Sequence, residues 1–321
     1  MRGAGGCAGP AERGRYAGRM LLPLSTPHAT RLEALAECGS TNTVLVAHAA
    51  EGWPEFSVVV TDNQTGGRGR LGRSWVAPAG QTLAVSVLLR PTFSLEAFGW
   101  LPLIAGVAMA RAVREVLASA SEAAPESKAE SKASESKAES VASEAAAGLR
   151  PLVTLKWPND VLIGVRDADA GRTEKKVSGL LAELVPSPGS GAPAVVLGAG
   201  LNLTIPADGL PVDTATSLTL HGADADGLPD RALSAYLREL RALYGLLQQH
   251  DGDADASGIR RMVSEECATL GRSVRIQLPG GGSETARAVE LDTAGQLVVR
   301  RARDGALQSV AAGDVTHLRY E

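Results

Sequence analysis

Four glycines and three arginines fall within eight residues, Gly66-Gly67-Arg68-Gly69-Arg70-Leu71-Gly72-Arg73, and Ser74-Trp75 follow. Glycine has no Cβ, so the backbone can approach a ligand closely and turn its N–H groups toward anionic oxygens. Arginine adds charge-assisted, often bidentate bonds to phosphate or carboxylate. Such a loop suits an anionic ligand, and the entropy cost of ordering it implies closure when that ligand binds. It does not end in the Gly-Lys-Ser/Thr of a Walker loop. Taken alone, it fits a solvated or RNA-binding arginine-glycine segment as well as a small-anion site.

Three further segments carry reactive side chains. Lys156-Trp157-Pro158-Asn159-Asp160 places a proline at the entry to a strand, a rigid corner that would hold an amide and a carboxylate at a sheet edge. By itself it is a turn. Lys175-Lys176-Val177-Ser178-Gly179-Leu180-Leu181-Ala182-Glu183 sets a lysine at a strand start, ahead of a glycine. Gly198-Ala199-Gly200-Leu201-Asn202-Leu203 puts glycines inside a strand, leaving room for a flat ligand against the sheet or marking a bulge. No metal site is expected. Asp251, Asp253 and Asp255 lack the glycine and terminal glutamate of an EF-hand loop and form a solvated turn. His48, His221, His250 and His317 lack ligand spacing, and Cys7, Cys38 and Cys267 make no CxxC pair.

The elements that must position these residues follow from periodicity. Ser40-Thr41-Asn42 opens a short helix over 43–50, and Phe56–Val60 and Thr82–Leu89 are strands around the glycine-arginine loop. Leu103–Leu117 has the apolar face of a helix. Residues 119–149 form an imperfect Glu-Ser-Lys-Ala repeat with no apolar face to dock, read as a flexible surface insertion. Strand resumes at Leu152. Val161–Ile163 and Val177–Leu184 make an antiparallel hairpin around a polar loop, Arg166–Glu174, and Ala194–Leu203 is the next strand. Leu233, Leu237, Leu240, Leu243, Tyr244 and Leu247 sit at helical spacing over 231–249. From Arg272 onward the pattern turns to short strands: Val274–Leu278, Ala286–Leu291, Leu297–Arg301 and Gln308–Val310, a small β-barrel. The fold class is α+β followed by all-β. The expected domains are a disordered lead (1–30, with Met20 an alternative start), a catalytic domain (31–265) that contains the insertion, and a barrel domain (270–321).

Composition sets the bounds. A formal charge of −4 argues against binding nucleic acid over the whole surface. No apolar run approaches the roughly 20 residues of a membrane span. Three scattered cysteines fit a reducing, cytoplasmic setting.

The succession Ser40-Thr41-Asn42, Gly67–Trp75, Lys156–Asp160, Lys175–Glu183, Gly198–Leu203 and a closing Gly313-Asp314-Val315 resembles the biotin–protein ligase family. That family carries GRGRxGRxW, KWPND, a Lys-x-x-Gly-Ile/Leu-Leu-x-Glu hairpin and GxGxN in this order. The resemblance spans about residues 38–205. It implies a mixed, antiparallel-rich sheet with flanking helices, like that of class II synthetases, followed by an SH3-like barrel. It further implies an ATP-dependent ligase that forms biotinoyl-5′-AMP and passes biotin to a lysine of the carrier domain of an acyl-CoA carboxylase. Biotin and ATP would be substrates and Mg²⁺ would assist. On the matching positions, Ser40, Thr41, Asn42, Gln64, Arg68, Gly69, Arg70 and Lys176 would contact biotin. Arg73, Trp75, Asn159 and Asn202 would contact ATP, with Trp75 walling the adenine side. Arg70, Lys176 and Asp160 would carry the chemistry. Only 39 residues precede Ser40, too few for the helix-turn-helix of DNA-binding family members, so no DNA role is expected. The resemblance leaves a homodimer open. The rivals are a lipoate–protein ligase, an RNA-binding module and a non-catalytic biotin sensor.

Overall fold

The computed structural model of the chain describes residues 20–76, 78–122, 152–167, 171–186, 193–277 and 282–311. At its centre is a seven-stranded sheet built from β1 (Arg31–Ala34), β2 (Ser57–Thr61), β5 (Thr82–Leu89), β6 (Leu152–Lys156), β7 (Asp160–Asp167), β8 (Gly171–Val185) and β9 (Ala194–Asn202). The strand order is β1-β2-β5-β9-β8-β7-β6. The β1–β2 pair is parallel and the other pairs are antiparallel, so the sheet is mixed, as expected.

β2, β5 and β9 are buried along their whole length because both faces are covered. Val58 and Val60 face one core together with Val85, Val87 and Leu197, while Val59 faces the other with Leu88 and Val196. The smaller core is capped by α1 (Thr41–Ala50) through Leu45 and Ala49. The larger is capped by α2 (Trp100–Glu122) and α3 (Leu228–Gln249). Helix α3 starts with proline in its first turn, where the missing N–H has no intrahelical partner to lose. It buries the row of leucines whose spacing identified it. A short helix, α4 (Ile259–Glu266), buries only Ile259 and Val263, too few apolar positions to give a periodic signal.

Where a small SH3-like barrel was expected, β10 (Ser273–Gln277), β11 (Ser283–Leu291), β12 (Leu297–Arg301) and β13 (Leu307–Val310) form a small antiparallel meander consistent with it. Its core is continuous with the large one, since Val274, Ala286, Leu291 and Val299 join the same cluster as Trp100 and Trp157. The β11–β12 turn hooks into the larger sheet's layer. Thr293 O accepts from Trp100 Nε1 at 2.8 Å and Gly295 O accepts from Trp157 Nε1 at 3.1 Å. Gly99 is glycine because a Cβ there would lie 2.2 Å from Ala294 O.

Several expectations need correction. The polar stretch Arg166–Glu174 is mostly strand. β7 and β8 pair as far as Asp167 and Gly171, and residues 168–170 lie outside the described residues. There β7 and β8 extend beyond the ends of their neighbours β6 and β9. Residues 20–30, expected in a disordered lead, are packed. Leu22 is buried, and the backbone N–H groups of Leu24 and Ser25 donate to the Asp230 carboxylate, each at 2.9 Å. Helix α2 runs to Glu122, into the first residues of the expected insertion. Residues 1–19, 123–149 and Gly313-Asp314-Val315 lie outside the described residues. Asp253 caps its own turn, with Oδ1 accepting from the N–H groups of Asp255 and Ala256. No helix among the described residues is long and apolar enough to cross a membrane.

Candidate active site

The floor of the site is a patch of sheet stripped of side chains. Gly179 on β8 and Gly200 on β9 are register partners, and the ladder through Gly198 and Gly200 is regular rather than bulged. Trp75 lies across this patch. A Cβ on Gly200 would fall 2.4 Å from Trp75 Cε2, and one on Gly179 would fall 3.2 Å from Cζ3 and 2.8 Å from Lys176 Nζ. The flat group that the sequence leaves room for is thus filled here by the chain's own indole. Trp75 Nε1 is buried with no hydrogen-bond partner. Trp75 is held there by β3 (Gly67–Arg68) and β4 (Ser74–Trp75), a two-stranded ribbon within the glycine-arginine loop. Between these strands Leu71 and Gly72 adopt positive φ, 57° and 72°. Gly67 passes so close to β4 that a Cβ would sit 2.6 Å from Trp75 O.

One wall is the N-terminus of α1. Helix-end N–H groups lack intrahelical partners, and Gln64 Oε1 supplies one, accepting from Thr41 N at 2.9 Å and from Thr41 Oγ1 at 3.2 Å. The Ser86 hydroxyl, fully buried on β5, lies 2.8 Å from Thr41 Oγ1 and 2.6 Å from Asn42 Oδ1. Asn42 Nδ2 then donates to Glu183 Oε2 at 2.6 Å, which also accepts from Arg68 at 3.1 Å. Gly198 makes room for this, since a Cβ would stand 2.3 Å from Asn42 Oδ1. Sequence reasoning assigned no role to Ser86 or Glu183. The available signal for Ser86 was a hydroxyl inside an otherwise apolar strand, which must find a buried partner.

The opposite wall holds the charges. The corner before β7 sets Asn159 so that its Nδ2 donates to Leu180 O at 2.7 Å and its Oδ1 accepts from Arg70 at 3.1 Å. Asp160 Oδ1 lies 2.6 Å from Lys176 Nζ, an ion pair without hydrogen-bond alignment. Burial lowers the pKa of the Arg70 guanidinium from its usual value, partly offset by the charge of Asp160 and reinforced by Arg73. Arginine remains charged through such a shift.

These walls enclose a cavity of about 870 Å³, counted to its open mouth. Every residue to which the family resemblance gave a binding or chemical role lines it except Asn202, the end of β9. Asn202 is buried and donates to Thr216 O at 2.9 Å. Asp160 is the one carboxylate among the described residues of the lining. Groups of three or more acidic, histidine or cysteine side chains fit to hold a metal do not occur among the described residues. The chemistry this arrangement supports is condensation between anions: cations to draw them together, polar groups at one end and a glycine-arginine loop along the side.

A family model described as the Biotin/lipoate A/B protein ligase family matches residues 36–202. The chain is 34% identical over 291 residues to the biotin–[acetyl-CoA-carboxylase] ligase of Mycobacterium tuberculosis, covering 90% of each. It is 30% identical over 169 residues to the bifunctional ligase/repressor BirA of Bacillus spizizenii, covering 52% of this chain and 39% of that one. The fold is that of a biotin protein ligase from Aquifex aeolicus solved in complex with biotin and ATP. The TM-score is 0.58 and the identity 24%, over 91% of this chain and 100% of the other.

Proposed function

From the premise that this chain belongs to the biotin/lipoate A/B protein ligase family, we propose that it joins biotin to the carrier domain of an acetyl-CoA or related acyl-CoA carboxylase in the cytoplasm. Residues 31–265 would form the catalytic unit and 270–321 the second. The observation that carries this reading is the convergence of Arg70, Lys176 and Asp160 on one cavity with the polar end made by Ser40, Thr41, Asn42 and Gln64.

In the first half-reaction a carboxylate oxygen of biotin attacks the α-phosphorus of ATP. The new P–O bond forms as the bond to pyrophosphate breaks. The two reacting groups repel, and Arg70, Arg73 and Lys176 offset that repulsion and stabilise the charge built up in the transition state. Arg68 and Gly69 belong to the loop that closes over the product, keeping water from the mixed anhydride. Magnesium would accompany ATP and assist departure of pyrophosphate. Asp160 is the single carboxylate the described lining offers it.

In the second half-reaction the amine nitrogen of an acceptor lysine attacks the biotinoyl carbonyl carbon. AMP leaves with the electron pair of the C–O bond, and the nitrogen loses a proton. Asp160 is placed to orient or deprotonate that amine. Arrival of the biotin carboxylate beside Lys176 gives the lysine a second anionic partner and loosens the 2.6 Å contact that now occupies Asp160. Asn159 holds Arg70 in place, and Trp75 leaves the glycine patch to wall the adenine. Asn202 acts one layer back, through Thr216.

The test is incorporation of labelled biotin into an isolated carrier domain with Mg·ATP, with lipoate as control. ATP-dependent biotin transfer is expected. Transfer of lipoate in its place would keep the fold and overturn the substrate. A folded protein that transfers neither would overturn the reading.

A further inference from the structure

Behind the catalytic lysine stands a second pair of charges that the reaction as described does not use. Glu174 lies two residues before Lys176 on β8, and both residues stay in regular register with β7, so their side chains leave the same face of the strand. Its carboxylate, 6% exposed, accepts both arms of Arg272, Nη1 to Oε2 and Nη2 to Oε1, each at 2.7 Å. Arg272 comes from the other end of the fold, immediately before β10. Lys156, the last residue of β6, sits among the same charges. Its pKa is lowered by burial first, and it feels Asp160, Lys176, Glu174 and Arg272. Three cations and two carboxylates therefore share one patch of the β6–β8 face.

Lys176 thus has two candidate carboxylates, Asp160 at 2.6 Å in the cavity and Glu174 on its own strand. An ammonium is a point charge on a flexible stem and goes to whichever anion is less satisfied. A fork-on-fork guanidinium pair is the strongest way to satisfy a carboxylate with one side chain. We propose that Arg272 is a positioning residue for the ligase reaction: by occupying Glu174 on both oxygens it keeps Lys176 directed into the cavity, at Asp160 and the substrate anions. The C-terminal sheet thereby contributes to the site without lining it.

This rests on the reading of Lys176 as the group that meets the biotin carboxylate, and the test separates the two. Steady-state kinetics of pyrophosphate release are measured on the full chain for Arg272→Gln, Glu174→Gln, the double variant and Lys176→Gln. A bridge that merely ties two segments together weakens alike when cut from either end. A competitor held in check does not. The expected result is a rise of about tenfold or more in KM for biotin in Arg272→Gln, against a change under about threefold in Glu174→Gln. The double variant should return to within about threefold of the parent, because the freed competitor is gone. Equal losses from both ends, or a double variant as impaired as Arg272→Gln, overturn the proposal. If Arg272→Gln does not fold, Glu174→Gln still decides: a tenfold loss there overturns the proposal, and near-parental kinetics supports it. Unimpaired Lys176→Gln would instead sink the reading of the site. Impaired Lys176→Gln beside unimpaired Arg272→Gln would sink this inference alone.

Discussion

The cavity draws its cations from two places, the glycine-arginine loop and β8. Arg70 is held by Asn159 and desolvated, so its charge acts through a poorly screened medium. Arg70→Ala should raise the release rate of the biotinoyl-adenylate by at least about tenfold, roughly 1.4 kcal/mol, measured by trapping free adenylate. Release at the parental rate would remove Arg70 from the site. His221 makes a different prediction. Its Nε2 is 2.8 Å from Thr216 Oγ1, and burial first, then Lys175, lowers its pKa below the ordinary 6.5. Between the lowered pKa and 6.5 the unfolded chain binds more protons than the fold. Stability is therefore present above that window and falls as acid takes the solution down through it. Melting points measured from pH 8 to pH 5 should drop, and His221→Gln should flatten the drop. An unchanged slope would count against it.

At the scale of elements, the glycines of β8 and β9 are better understood as a surface than as flexible points. Gly179 and Gly200 are ordinary strand residues in register, and what they supply is clearance. Gly200→Val should abolish the seat of Trp75 and obstruct any flat ligand, cutting biotin affinity at least about tenfold in a calorimetric titration while β9 still pairs. Retained affinity would show that nothing needs the clearance. This paired platform was half legible from sequence. Gly198-Ala199-Gly200 suggested room for a ligand, but no local pattern says that Gly179 of another strand completes it, or that Trp75 returns over both. The α1 end was legible in type and not in wiring. Ser40-Thr41-Asn42 signals a helix start, yet the structure gives Ser40 no capping bond and assigns that task to Gln64. Periodicity failed where strands run on past their sheet neighbours, as in the β7–β8 extension, and where a helix was too short to repeat, as in α4.

Over the whole molecule, the C-terminal meander and the large sheet share one core, and two indole N–H groups converge on the turn between β11 and β12. The sequence separated these units by a change of pattern near Arg272, which local periodicity detects. The docking between them rests on residues nearly two hundred apart, Trp100 with Thr293 and Gly99 with Ala294. Gly99→Ala would drive a methyl into that carbonyl, an overpacking worth about 1–3 kcal/mol. Because the turn also receives Trp157, whose chain leads directly into Asn159 and Asp160, the variant should lose ligase activity together with melting temperature. A stable variant with parental activity would show the turn to be passive. Trp75 stands apart from the other three tryptophans in this respect. Trp53, Trp100 and Trp157 are buried in cores, whereas the indole of Trp75 rests on bare backbone in the cavity proposed for the substrates. The protein thus carries a built-in optical gauge: a ligand that takes the glycine patch should lift that indole from its dry seat, and the shift in its emission would report occupancy before any bond is made.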